Sequence, residues 1–454
     1  MGPEVHGIPA ASLSYREARA LIEGRGMGIK PDLTRIRALA EVLDHPERTY
    51  PTVQVAGTNG KSSTAWMIGA LLAGHGLTTG TYTSPHLQSI RERFVLAGSL
   101  PGEPESSVAV EHIPPDELAA VVQYLLPFVE MVETQVGEPL TYFELTTAMA
   151  FEWMATHSAG AGVFEAGLGG SWDATNIIAG DVGVLTPIGV DHISMLGPTP
   201  LDNAREKAGI IKPGQRCVSA PQDADVAGFV LATGADVGAT VALMGRDFHL
   251  RSDRLALAGR LITVEGPRGG LYEDVFVPLL GPYQSLNATL ALAACEELLG
   301  RPLDGDAVSA GLAAVRAPGR LEVVAREPLI VLDGAHNPQA AAALGLALEE
   351  TFGDLRRVFV VSVFEDKDVR GVLSALAPYA SHTIFTAGSS PRSAPPERLA
   401  EIGASLGHAS QVIAPLAEAL EASRRLAGPD GLVVVTGSLF MVGEARTLLV
   451  GPVE

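Results

Sequence analysis

TVQVAGTNGKSS, residues 52–63, joins three local signals in one run. The first five residues alternate like a short strand, and a helical pattern begins near Ser62 and continues through residues 66–73. Two glycines, Gly57 and Gly60, stand between them. Strand, glycine loop, helix is an arrangement in which the backbone curls so that its N–H groups face a phosphate at a helix N-terminus. Lys61 would reach the outer phosphates, and a following hydroxyl would face Mg²⁺. The longer GxxxxGK[ST] pattern needs glycine at position 55, which is Val55, so this is the shorter GxxGK[ST] form. Gly57, Thr58, Asn59, Gly60, Lys61, Ser62 and Ser63 are the candidate phosphate contacts. The plainer alternative is an ordinary strand–helix turn.

Outward from this unit the pattern recurs. Residues 162–166 read as a strand ending in a glycine-rich turn, and 182–187 as another strand. Leu33, Ile36, Leu39 and Leu43 fall at helical spacing after Pro31. Strands separated by helices predict an α/β fold with a mostly parallel sheet. Residues 248–250, 255–257 and 261–264 read as short strands between turns, a small antiparallel section, followed by a helix at 286–299. A second α/β unit follows, with strands near 329–332, 358–363, 383–386 and 432–435 and an Ala-rich helix at 339–351. The expected division is 1–300 and 301–454, at the break Gly300-Arg301-Pro302.

Composition narrows the function classes. A chain of 454 residues that is 47% hydrophobic can bury a sizeable core and is not disordered. Two cysteines, Cys217 and Cys295, exclude a disulfide framework and a multi-cysteine zinc site. Lys and Arg total 32 against 52 Asp and Glu, a net charge of −20, which argues against duplex nucleic acid or an anionic membrane as partner. Local sites for anionic small molecules remain open. Residues 1–6 lack the basic and apolar regions of a signal peptide and the myristoylation pattern. No apolar run reaches the ~18 residues of a membrane helix; 226–244 comes nearest and is interrupted by Asp236 and glycines. A cytoplasmic protein is expected.

Other motifs carry possible chemistry. Ser84 precedes Pro85, which pushes it toward an extended geometry that could aim its hydroxyl into a cleft, or simply make a turn. Glu165 ends a strand before the glycine turn 167–170, where open α/β sheets hold ligands and where a hard oxygen donor suits Mg²⁺. Asp191-His192, Glu206-Lys207 and the turn Asp333-Gly334-Ala335-His336-Asn337-Pro338 each admit a bland reading as well.

Taken in order, these segments resemble the folylpolyglutamate synthase/dihydrofolate synthase family, relatives of the Mur ligases. The match runs through GTNGKSS, TSPHLQS with Arg91-Glu92-Arg93, TYFELTTA, EAGLGGSWDATN, TPIGVDH, Leu196-Gly197 and EKAGIIK, then GPYQSLNA, APGRLE, DGAHNP, EDKD and TGSLF, from about residue 30 to the end. The resemblance implies an N-terminal P-loop ATPase domain and a smaller Rossmann-like C-terminal domain, with the active site between them. It implies that residues 57–63 hold ATP phosphates, that Ser84 and Glu165 bind one Mg²⁺, and that His192 and Lys207, the latter as a carbamate, bind a second with Glu165. Asn287, Arg320 and Asp333 would contact ATP. Thr141, Tyr142, Phe143 and Glu144, with Trp172, Asp173 and Ala174, match segments that bind the pterin-containing substrate. Lys61, Glu165, His192 and Lys207 would be the catalytic set.

The implied reaction is ATP-dependent addition of L-glutamate to a folate or dihydropteroate carboxylate through an acyl phosphate, by a monomer. The chain departs from the family at Ser62, where Gly is common, at Ser171, where Arg is frequent, and at Tyr283, where His is usual. Two other readings stay open: a Mur-type ligase acting on a cell-wall nucleotide precursor, and a P-loop ATPase that ligates nothing. The segments TSPHLQS and SWDATN favour folate, and the three candidate metal ligands argue against a bare ATPase.

Overall fold

The computed structural model describes residues 8, 12–28, 30–99 and 107–453; the reading of residues 1–6 falls outside these. Eight strands form the first sheet: β1 (Thr52–Ala56), β2 (Thr79–Tyr82), β3 (Phe94–Ser99), β4 (Val108–His112), β5 (Ala161–Glu165), β6 (Val182–Leu185), β7 (Arg216–Ser219) and β8 (Thr240–Leu243). Their order is β4-β3-β2-β5-β1-β6-β7-β8. The pairs from β2 through β8 are parallel, while β3 and β4 run antiparallel at one edge. β1 is central and every one of its residues is buried, as expected of a strand covered on both faces.

Helix Lys61–Gly74 follows β1 and is buried along nearly its whole length. It lies against helices Pro282–Leu299 and Gly305–Ala314. This explains why its sequence shows no single apolar stripe: a helix enclosed on all sides has none.

The antiparallel section has three strands, β9 (His249–Ala256), β10 (Gly259–Glu265) and β11 (Leu271–Val277), in the order β11-β10-β9. The two short strands read at 248–250 and 255–257 are one continuous outer strand, whose four intervening polar residues, two exposed and two half-buried, hid its continuity. A six-stranded sheet follows: β12 (Glu322–Arg326), β13 (Leu329–Leu332), β14 (Arg357–Val361), β15 (His382–Phe385), β16 (Ser410–Val412) and β17 (Leu432–Thr436), in the order β12-β13-β17-β14-β15-β16. Only β12 is antiparallel. Both large sheets are thus mostly parallel α/β layers. The stretch 226–244 divides into helix Ala224–Val237 and β8, and no helix among the described residues is long and apolar enough to cross a membrane.

Residue 300 lies between two helices that both pack on Lys61–Gly74 of the first layer. We therefore propose that the division between domains lies after Gly305–Ala314, in the connection before β12. Several contacts join the halves. Asn59 and Asn337 exchange side-chain hydrogen bonds (2.9 and 3.4 Å), and Arg260 donates to Glu350 (2.7 Å).

Candidate active site

The glycine loop leaves the carboxyl end of β1, where a parallel sheet opens a crevice. Its two glycines have steric reasons. Gly57 has φ +146°, and a Cβ there would lie 1.9 Å from Thr186 Oγ1. Gly60 has φ +88°, and a Cβ would lie 2.4 Å from Asn287 Oδ1. Gly60 caps helix Lys61–Gly74 without a side-chain hydrogen bond, so the first-turn N–H groups remain open to an anion. Lys61 Nζ folds back to donate to Thr58 O (3.1 Å). Burial pushes its pKa down, opposed by the charges of Glu165 and Asp191.

Glu165, at the end of β5, is buried. One carboxylate oxygen accepts from Ser62 Oγ (3.1 Å) and the other from the Ser84 N–H (3.0 Å). Burial raises its pKa, and Lys61 and these hydrogen bonds hold it back. Lys207 ends helix Pro200–Lys207, is buried, and donates to Gly57 O (2.8 Å). Its pKa is lowered to about 7, by burial first and then by the charge of Lys61. His192 sits at φ +51° after β6, and its pKa falls to about 4 through burial and then the Lys367 ammonium.

The residues at positions 57–63, with Ser84, Glu165, His192, Lys207, Asn287, Arg320 and Asp333, line one cavity of about 360 Å³. Asn287 donates to Gln284 (2.9 Å) and stands against Gly60. Asp333 directly follows β13 and accepts from the N–H groups of Leu321 (2.8 Å) and Ala335 (2.9 Å), so it also ties the connection before β12 to the second sheet.

A second cavity, of about 330 Å³, is lined by Thr141, Tyr142, Phe143, Glu144, Trp172, Asp173 and Ala174. The two cavities share walls at Ser84, Pro85, Gly167, Leu168, His192 and His336. Two of the candidate substrate residues face it with their polar groups already engaged. Glu144 closes a capping box with Thr141 and pairs with buried Arg35 (3.0 Å). Asp173 accepts from Leu168 N–H (3.0 Å), Thr175 N–H (3.0 Å) and Thr175 Oγ (2.6 Å).

Residues without a role in the sequence reading complete the junction. Lys367, from the loop after β14, pairs with Asp191 and lies 3.3 Å from His192 Nε2. His336 Nε2 is 3.6 Å from Asp191, and Tyr283 Oη donates weakly to Asp333 (3.4 Å). Asp191 is held well below the usual carboxylate range: burial alone would raise it, but the nearby His336 imidazole and the Lys367 charge outweigh burial. The signal available in sequence was position. Lys367 lies in EDKD and His336 in DGAHNP, both just past apolar strands of a parallel sheet.

Among the described residues, no three His, Cys, Asp or Glu side chains gather as an all-protein metal cage. Mg²⁺ does not need one, since it keeps waters and phosphate oxygens and takes one or two carboxylates. Glu165, with one hydrogen bond on each oxygen and lone pairs remaining, fits that requirement.

Comparison with known proteins places this geometry. Residues 319–439 match the Mur ligase, glutamate ligase domain. The dihydrofolate synthase/folylpolyglutamate synthase of Mycobacterium tuberculosis is 38% identical, over 92% of this chain and 90% of that protein. The solved Mycobacterium tuberculosis folylpolyglutamate synthase complexed with ADP superposes with a TM-score of 0.89 at 36% identity, covering 96% of this chain and 98% of that one. A folylpolyglutamate synthase complexed with AMPPCP and folate gives 0.83 at 31% identity, over 97% and 100%. Similarity of this strength along nearly the whole of each chain, on a fold with two facing α/β layers and a glycine loop between strand and helix, means that the chain belongs to the folylpolyglutamate synthase/dihydrofolate synthase family.

Proposed function

We propose that this chain is an ATP-dependent ligase that joins L-glutamate to the carboxylate of a folate or of dihydropteroate. The observation that carries the reading is the shared wall between the two cavities. A nucleotide on the glycine loop and a carboxylate substrate beside Trp172 would meet there. A carboxylate is a poor electrophile. Transfer of the γ-phosphoryl from ATP makes it an acyl phosphate, the α-amine of glutamate then attacks the acyl carbon, and phosphate leaves.

The N–H groups at the start of Lys61–Gly74 and the Lys61 ammonium would hold the phosphates in line and offset charge in transfer. Asn287, Arg320 and Asp333 would contact the nucleotide from the junction. Two Mg²⁺ ions, one near Ser84 and Glu165 and one near Glu165, His192 and Lys207, would supply further charge neutralisation to the phosphates when bound. A free lysine suits such a place badly, because its ammonium repels a cation. A carbamate on Lys207 would turn it into an anionic oxygen donor, and a lysine whose pKa is near 7 presents the neutral amine that carbamylation requires. Trp172 would stack on the flat heterocycle. The protein would act as a cytoplasmic monomer on small molecules, with no nucleic acid partner, as its net charge of −20 favours.

The test is ATP, Mg²⁺ and L-glutamate with a panel of dihydropteroate, tetrahydrofolate and a Mur-type nucleotide precursor. Phosphate release that needs both glutamate and a pterin substrate supports the proposal. Release that ignores both co-substrates points to a bare ATPase, and release with the nucleotide precursor alone points to a Mur-type ligase.

A further inference from the structure

The second cavity has a wall that no part of the reaction above uses. It comes from the loops after β14 and β15 and from the start of the helix after β17, and it carries Arg392. The guanidinium lies over the Phe364 ring, 4.4 Å from the centroid, and Nη2 donates to Asp366 (2.8 Å). Phe364 in turn packs on Phe440 at 5.5 Å. The two loops are pinned to each other: Glu365 N–H donates to Arg392 O (2.9 Å), and Phe364 bridges to Ser393. Arg392 is therefore held in place on an aromatic floor. Asp366 takes one of the five donors that a guanidinium offers.

Arg392, Phe364 and Phe440 line the cavity beside Trp172 and not the one at the glycine loop. Arg392 thus stands on the Trp172 side of the shared wall, apart from the loop that would hold the nucleotide phosphates. In a chain of net charge −20, a cation fixed at this mouth opposes the global field where a polyanionic substrate would otherwise be repelled. Resting on the proposed function, we propose that Arg392 on Phe364 is a specificity-determining residue that reads the carboxylates of the oligo-γ-glutamyl tail of the folate substrate. Guanidinium suits a carboxylate through paired N–H donors, and stacking on the ring reduces the entropy lost on binding.

Calorimetric binding with AMPPCP present tests this, using pteroate and tetrahydrofolates carrying one, two or three glutamates. Arg392→Ala should leave pteroate affinity unchanged and weaken the triglutamate by about tenfold at low salt, the loss of a charge-assisted contact. The loss should grow with the number of glutamates and shrink as salt rises. Arg392→Lys should be intermediate, and Asp366→Asn should keep or improve tail affinity. Equal weakening of pteroate and every folate would overturn the inference, since it would mean Arg392 supports the cavity wall. Unchanged affinity for all tail lengths would overturn it too. A wild-type protein that binds none of the pterin compounds would sink the proposed function and this inference together, whereas wild-type binding with an indifferent Arg392→Ala sinks this inference alone.

Discussion

Glu165 and Asp173 are both buried acids at the carboxyl edge of one sheet, in adjoining cavities, and burial raises the pKa of both. Their surroundings differ. Each oxygen of Glu165 accepts a single hydrogen bond, from Ser62 on one side and Ser84 on the other. The Asp173 carboxylate accepts three from its own turn and caps residues Ala174–Ile177. Glu144, also facing the second cavity, is closed off by Thr141 and Arg35. A carboxylate has about four acceptor sites, so Glu165 keeps capacity for an ion while Asp173 is largely committed to holding its loop. The glycine-loop cavity is built for charge. The Trp172 side of the second cavity is built for shape, and Asp173 and Glu144 fix the backbone that makes the shape, while its charge lies on the Arg392 wall.

The strongest way to break that contrast is at the charged cavity. Lys61→Ala should cost ~10²-fold or more in turnover while the melting temperature stays near wild type, because the lost contact forms with developing phosphate charge. Near-normal turnover at saturating ATP would mean that the loop does not hold phosphates. Lys207→Ala should be almost as damaging, with partial rescue by short-chain carboxylic acids if a carbamate is the working group. Lys207→Arg should also fail, since a guanidinium keeps its charge. The pH dependence has a defined sign. Lys207 faces the charges of Lys61, Asp191, Asp173 and Lys367, and its pKa is lowered to about 7. The neutral amine, and with it carbamylation, therefore prevails above about pH 7 and is lost as pH falls through that value. Activity should drop on the acid side and recover with added bicarbonate. Indifference to bicarbonate together with an active Lys207→Arg would remove the carbamate.

How far these differences could be read from sequence depended on the kind of residue. The glycine loop was legible because its constraint is local: Gly57 and Gly60 take positive φ, and a strand and a helix flank them within a dozen residues. The parallel layers were legible from their apolar runs. The antiparallel edge β3 and β4 was not, since half-exposed strands such as Val108–His112 carry little periodic signal. Lys367 illustrates the harder case. Nothing near it in sequence says that it will meet Asp191, 176 residues away; only the apposition of two sheet edges does. The acid roles were likewise hidden. The strand-end position of Glu165 was legible as a place for a cation, but that Asp173 is taken up by its own turn shows only in the hydrogen bonds around it.

The Asp173 contrast can be sharpened by stability rather than kinetics. Asp173→Ala should lower unfolding stability by ~1–2 kcal/mol, the scale of losing an N-cap side chain. The apparent KM for the pteroate substrate should rise as the Trp172 turn loosens, with the ATP value little changed. Asp173→Asn, which retains an acceptor for Thr175, should be milder in both. Weakened ATP binding in either variant would place Asp173 on the wrong side of the shared wall.

The smallest expected effect belongs to Trp172 itself. Its ring lies against Gly169, where an added Cβ would approach to 2.9 Å, so the ring's position is set by a close backbone approach rather than by deep burial. It remains half-buried and lines the cavity, which leaves a face for a flat heterocycle. Trp172→Phe keeps an aromatic surface but shortens it, and an aromatic pair contributes roughly 0.5–1.5 kcal/mol beyond its buried area. The KM for dihydropteroate should therefore rise only a few-fold, on the order of that energy. Turnover at saturating substrate should stay near wild type, because the ring makes no contact that forms only as the phosphoryl moves. A fall in turnover with unchanged KM would mean that Trp172 orders the glycine turn beside Glu165, and the contrast between a cavity of charge and a cavity of shape would fail at the wall they share.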